Sequence, residues 1–250
     1  EVMQRDRTSR VGHVLLSEWT SLPLHRAPGS SRQVMQACGK CKPGERLAKK
    51  GKKPYLLTLS PDTKPLGALG YIRCAGEILD QLNNQKQSVE KIVVASGSAA
   101  THVGILLGLR LLGSEIPVHG ICVRRDRKQQ ILRVEGIVRL AEHLIGCGKV
   151  VQGKDIKCHD DWLAPGYGKT NGLVHEAMML AGSLEGMIVD PVYTAKSLAG
   201  AIGLYRLGVF NNNQNILYLH TGGMPALFAY EDEITEQLNE GLSIKYRNNN

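Results

Sequence analysis

Lys91 to Gly113 reads KIVVASGSAATHVGILLGLRLLG, a strand, a turn of small residues and a helix without interruption. Ile92 to Ala95 is a run of β-branched and apolar residues, the pattern of a strand buried on both faces. From Thr101 the apolar positions Val103, Leu106, Leu107, Leu109 and Leu111 recur with helical spacing. The turn Ser96-Gly97-Ser98-Ala99-Ala100-Thr101 therefore delivers its backbone N–H groups and hydroxyls at a helix N-terminus. The first four amides of a helix have no intrahelical acceptor, and the positive end of the macrodipole favours an anion there by roughly 0.3 to 1 kcal/mol. Gly97 allows a ligand close to the backbone. The Gly-Lys-Ser/Thr ending of a nucleotide P-loop and the G-x-G-x-x-G of a dinucleotide turn are both absent from the turn. A Ser/Thr-capped helix with no ligand is the competing reading of this turn on its own.

Outward from this unit, the chain of 250 residues has 42% hydrophobic residues and 28 glycines, which suits an α/β protein with a sizeable core. No apolar run reaches the roughly 18 residues of a membrane span, and no signal pattern opens the chain, so a cytoplasmic protein that meets no membrane is expected. Residues 1–53 hold twelve Lys/Arg against four Asp/Glu and so carry the whole net charge of +8. Arg46, Lys49, Lys50, Lys52 and Lys53 cluster there, but without stacking aromatics or a reading helix they are expected to form a solvated basic face that binds no nucleic acid. Cys38 and Cys41 form a C-x-x-C with no second pair to complete a zinc site, and are read as an incidental surface feature. No metal site is expected.

Further elements follow in order. Leu66, Leu69, Ile72, Cys74 and Ile78 predict a helix face. Ile116 to Val123 predicts a second buried strand, and Ile131, Val134, Ile137, Val138 and Leu140 the stripe of a helix from about Arg127. Residues 150–163 are polar and are left without an assignment. A helix is expected over Gly172 to Leu184, another from about Lys196, and a strand over Ile216 to His220.

Four motifs carry a family resemblance. Gly67-Ala68-Leu69-Gly70-Tyr71, then Val93 to His102, then Asp190-Pro191-Val192-Tyr193-Thr194, and His220-Thr221-Gly222-Gly223-Met224-Pro225-Ala226-Leu227-Phe228 stand in the order and spacing of the D-cysteine desulfhydrases. With the 1-aminocyclopropane-1-carboxylate deaminases, these are pyridoxal phosphate enzymes built like the tryptophan synthase β subunit. The resemblance implies an α/β fold with a three-layer parallel sheet, a degenerate small-domain remnant at 1–60, a cofactor domain at 61–235 and a polar tail at 236–250. It implies pyridoxal 5'-phosphate as cofactor, an amino acid as substrate, and a homodimer.

By the same resemblance Ser96, Gly97, Ser98, Ala99, Ala100 and Thr101 hold the phosphate, and Tyr167 in Ala164-Pro165-Gly166-Tyr167-Gly168 lies at the cofactor pocket. Tyr193 lies against the pyridine ring as an acid/base, Thr194 near the ring nitrogen, and Thr221 and Gly222 beside it. An aromatic face is a sound support for a flat, electron-poor ring. Deaminases of the family tend to carry Glu and Leu where this chain has Thr194 and Thr221; a neutral hydroxyl beside the ring suits elimination of a thiolate. That points to desulfhydrase over deaminase chemistry. Relatives normally have Gly-Gly-Ser-Asn where Ser60-Pro61-Asp62-Thr63 stands. They also carry upstream a Gly-Asn-Lys-x-Arg-Lys motif, whose lysine holds the cofactor, and a Ser-Asn-His motif that holds substrate; neither occurs in this sequence. Lys196 starts a helix and is not at that lysine's position. The expectation is a truncated relative, inactive alone, whose family-level chemistry is D-cysteine desulfhydration, with a pseudoenzyme that keeps the phosphate turn and a deaminase as alternatives.

Overall fold

A computed structural model describes residues 49–53 and 65–236. Backbone contacts divide the chain into Glu1–Thr58 and Leu59–Asn250. Lys49, Lys50, Lys52 and Lys53 are exposed, while Cys38, Cys41 and the turn Ser60 to Thr63 lie outside the described residues.

Four strands form a parallel sheet: β1 (Lys91–Ser96), β2 (Val118–Cys122), β3 (Lys157–His159) and β4 (Ile216–Tyr218), in the order β3-β2-β1-β4. β1 is central and pairs Ile92 with Val118 on one side and Lys91 with Ile216 on the other. Successive side chains on a strand face opposite sides, and both sides are covered. Ile92 and Val94 join Val118 and Cys122 in the larger core, under the helices α1 (Leu66–Asn84), α2 (Ala100–Leu111) and α3 (Arg127–Ile145). Val93 and Ile121 face the opposite layer, with Ala177 of α4 (Gly172–Glu185) and Ala199 and Leu204 of α5 (Thr194–Arg206). This is the three-layer parallel arrangement expected from the sequence.

α2 is buried on all sides from His102 to Leu109, the signature of a core helix. Full burial of Ile105, Leu106, Leu107 and Leu109 is worth roughly 1.5 to 3 kcal/mol each. Its close approach to α1 depends on two glycines. A Cβ on Gly104 would lie 2.5 Å from the Ala68 carbonyl oxygen, and one on Gly108 would lie 2.6 Å from that of Ile72. The contact face of α1 is accordingly small, with Ala68 and Ala75 fully buried, whereas Leu66, expected inside, is 52% exposed. Backbones this close leave no room for a leucine between them.

α3 is capped by Asp126, whose side chain accepts from the Gln129 N–H at 2.8 Å, and α4 by Asn171, which accepts from the Val174 N–H at 3.0 Å. The segment without a sequence assignment forms a 3₁₀ turn (Gly153–Asp155) and β3. Its entry is fixed by the buried Glu142 carboxylate, which accepts from the N–H groups of Val150 and Val151, both at 2.8 Å. β1, β2 and β4 run parallel, so Ser96, Cys122 and Tyr218 end on one edge. The chain passes from β1 to β2 on one side and reaches β4 on the other, a switch in strand order where α/β sheets open a crevice.

Candidate cofactor site

The turn after β1 opens on that edge. Ala99 caps α2 in the left-handed region, at φ 77°, a conformation that costs an alanine roughly 1 to 2 kcal/mol and that here swings the chain sharply into the helix. Among the described residues, the backbone N–H groups of Ser98, Ala99, Ala100 and Thr101 have no acceptor. The carbonyls of the same peptides are taken from the other side. Gly97 O accepts from Arg125 Nη1 at 2.9 Å and Gln130 Nε2 at 3.3 Å, and Ser98 O accepts from Arg133 Nε at 2.9 Å. In a trans peptide N–H and C=O point opposite ways, so these ties turn the Ser98 and Ala99 N–H groups away from the arginines. The turn is a row of donors held from behind.

Not every residue of the turn presents itself alike. Ser96 is fully buried, its Oγ accepting from Gln130 Nε2 at 2.9 Å and bonded to His102 Nδ1 at 3.0 Å. It braces the turn from within, while Ser98 is exposed and Thr101 half-buried. The missing Cβ of Gly97 faces Val123, whose Cγ2 would be 2.9 Å away. This glycine is required by packing against the end of β2. Burial, then the neighbouring Arg133 and Arg124, press the Arg125 guanidinium below its usual pKa, as expected where three cations converge.

The second part of the site is organised by Asp190, which is fully buried. Its Oδ2 accepts from the N–H groups of Val192 and Tyr193, both at 2.9 Å, and its Oδ1 from the Thr194 N–H at 2.8 Å and the Thr194 hydroxyl at 2.7 Å. Asp190 thereby caps α5 from three residues outside it. Thr194 Oγ1 also accepts from the Asp190 N–H at 2.7 Å, so its only proton is donated inward. Gly223, at φ 101°, closes on this hub, and a Cβ there would strike Asp190 Oδ1 at 2.4 Å. Gly222, at φ 94°, precedes it, and its N–H donates to His220 Nδ1 at 3.3 Å. Thr221 is half-buried.

Tyr193 leaves this hub and meets Tyr167. Their hydroxyls are hydrogen bonded and their rings cross edge to face at 62° with centroids 6.0 Å apart. Burial, then Tyr167, raises the Tyr193 phenol well above its usual pKa, so the proton stays on. The Arg124 guanidinium lies 5.4 Å from the centre of the Tyr167 ring and is next in sequence to Arg125, which holds Gly97. The donor row and the tyrosine pair are thus joined through Arg124 and Arg125.

The structure brings the sequence-predicted residues to one edge of the sheet, and it adds Arg124, Arg125, Gln130, Arg133 and Asp190. Arg124 and Arg125 follow β2 after the single residue Val123, at the strand end where α/β sheets carry functional groups, and that position was their only sequence signal. Gln130 and Arg133 reach the turn from α3, more than thirty residues away in sequence, and no local pattern announces them. Among the described residues no helix is long and apolar enough to cross a membrane, and no group of three or more His, Cys, Asp or Glu is placed to hold a metal ion.

Comparisons with known proteins bear on the family to which the chain belongs. Residues 21–222 match the family described as "Pyridoxal-phosphate dependent enzyme". D-cysteine desulfhydrases of Salmonella paratyphi C and Salmonella newport are each 39% identical over 189 residues, which is 76% of this chain and 56% of theirs. The chain therefore spans little more than half the length of these relatives. A crystal structure of an ACC deaminase homologue superposes with a TM-score of 0.69 at 32% identity, over 84% of this chain and 61% of that one. Its fold is the tryptophan synthase β-like fold expected from the sequence motifs. With most of its length matched by the family and its fold shared with a family structure, the chain belongs to the pyridoxal-phosphate-dependent enzymes.

Proposed function

We propose that this chain forms the phosphate- and ring-binding part of a D-cysteine desulfhydrase-type lyase, which converts D-cysteine and water to pyruvate, hydrogen sulfide and ammonia. The observation that carries the reading is the row of unpaired N–H groups from Ser98 to Thr101, held from behind by Arg125, Gln130 and Arg133. Such a row takes a phosphate at a helix N-terminus, with the Ser98 and Thr101 hydroxyls as further donors. The fully engaged Ser96 acts through His102 and Gln130 as a brace.

Pyridoxal phosphate, when bound, supplies an electron sink for charge developing at the substrate Cα. Around it, Tyr193 and Tyr167 offer an aromatic wall and a phenolic proton at Tyr193 Oη. Burial keeps that proton on at neutral pH, so Tyr193 serves as a donor to a departing thiolate. Thr194, whose proton goes to Asp190, can only accept a hydrogen bond from a ligand. Thr221 and Gly222 are assigned to the ring side of the cofactor by the same reading. Arg124, unpaired with any carboxylate among the described residues, adds positive charge where an amino acid brings its carboxylate. A homodimer is part of this proposal.

The test is an absorbance titration of the purified chain with pyridoxal phosphate, repeated with inorganic phosphate as competitor, then borohydride reduction and peptide mapping. Saturable, phosphate-competed binding with one lysine modified is the expected outcome for an enzyme. Phosphate-competed binding with no lysine modified limits this chain to cofactor recognition, and no saturable binding overturns the proposal.

A further inference from the structure

Lys196, in the first turn of α5, is among the largest fully buried side chains of the described residues. Its ammonium has no carboxylate partner among the described residues; Nζ donates to Gly166 O at 2.8 Å and Leu163 O at 3.1 Å. Three costs meet here. A cation is removed from water, no counter-ion offsets it, and it stands at the positive end of a helix. Burial lowers its pKa from 10.5 to about 8. A methionine of similar length would fill the same space at none of these costs, so the ammonium is retained for its two hydrogen bonds.

Those bonds end on the segment that carries Tyr167. Gly166 directly precedes it, and Leu163 opens the segment. Tyr193 and Lys196 are three residues apart on one helical turn, spacing that places both side chains on one face. One reaches the hydroxyl of Tyr167 and the other the backbone just before it. The segment's other ties are the Lys169 N–H to the same Gly166 O at 3.3 Å, the Leu163 N–H to Asp160 O at 2.9 Å, Asn171 to Ala164 O and Tyr230 to Gly168 O, and none of these runs to α5. We propose that Lys196 is a positioning residue, which clamps the Gly166–Tyr167 backbone onto α5 and so sets the hydroxyl contact between Tyr167 and Tyr193. That this contact matters to cofactor binding rests on the proposed function; the clamp itself does not.

The test reads the phenols directly. Tyrosine labelled with 13C at Cζ is titrated by NMR in the unliganded full chain, with Tyr167→Phe and Tyr193→Phe to assign the signals. The groups facing the Tyr193 phenol are Tyr167, Asp190 and Arg124, and substitution of Lys196 alters none of them covalently. In Lys196→Met the Tyr193 midpoint is expected to fall by about one pH unit or more toward the ordinary phenol value of about 10. Lys196→Arg, which keeps charged N–H donors, is expected to restore part of the shift. If the methionine variant does not fold, Lys196→Leu, which likewise has no side-chain donor, gives the same reading. A Tyr193 midpoint unchanged in the folded methionine or leucine variant overturns the clamp. Pyridoxal phosphate affinity, measured on the same samples, is expected to fall about tenfold. A shifted phenol with unchanged affinity leaves the clamp standing and removes the tyrosine pair from the cofactor site.

Discussion

The two halves of the site are built in opposite ways. In the turn Ser96 to Thr101 side chains hold the backbone from behind, leaving four N–H groups without acceptors among the described residues. In the segment Asp190 to Thr194 the backbone is consumed internally, and its N–H groups at 192, 193 and 194 all end on one carboxylate. The first half stores unsatisfied donors for a ligand and is strained at Ala99. The second is saturated and rigid, and offers a side chain, Tyr193. Many weak backbone donors suit a phosphate, whereas a proton must be held at one atom, so each half has the construction that its proposed task would require.

If the second half is the rigid one, removing its hub has the largest effect. Asp190→Ala leaves four buried donors without an acceptor and is expected to destabilise the fold by about 4 kcal/mol, with Asp190→Asn losing about half as much; urea unfolding measures both. A change under about 1 kcal/mol would break the contrast, since Asp190 would then not be the hub.

Lys196 gives a pH dependence of known sign. Its folded pKa of about 8 lies below the ordinary 10.5, so between these values the unfolded chain binds more protons and stability rises with pH. The gain between about pH 8 and 10 is expected to be roughly 2 kcal/mol and to vanish in Lys196→Met. Tyr193, Tyr218 and Tyr230 have raised phenol pKa values, so above about pH 10 their sign is opposite and stability falls. Chemical denaturation at pH 7, 8, 9 and 10 follows the rising limb, and further points at pH 10.5 and 11 follow the falling one.

The first half is sharpened by smaller changes. Gly97→Ala drives a methyl to 2.9 Å from Val123, expected to cost about 1 kcal/mol and to weaken pyridoxal phosphate binding several-fold by displacing the donor row. Arg125→Met releases the Gly97 carbonyl and is expected to weaken binding about three- to tenfold, with a stability loss under about 1 kcal/mol. Equal losses of binding and stability in Arg125→Met would mean that the arginine holds the fold and not the site.

The donor row was legible because everything that makes it is local: strand, small residues and helix follow within Ile92 to Leu111, and the turn's chemistry follows from the helix that succeeds it. The role of Ser96 was not legible. Its hydroxyl could face either way until the packing of His102 over Gly120, whose Cβ would lie 2.3 Å from His102 Nδ1, brought an imidazole beneath it. The same holds for Thr194, whose hydroxyl belongs to Asp190. The face of α1 was misjudged for a related reason, since size complementarity to Gly104 and Gly108 outweighed hydrophobicity and put Ala68 inside and Leu66 outside.

By itself the sequence determined the order of the helices and of every strand but β3, the turn of small residues at a helix N-terminus and the family motifs, because hydrophobic period and turn chemistry act between near neighbours in the chain. Only the tertiary structure decided which side chains face a ligand and which are used up as braces. Arg125, Arg133, Asp190 and Lys196 acquire their roles from partners that the fold brings within about 3 Å, and a hydrogen bond has no direction until both ends are in place.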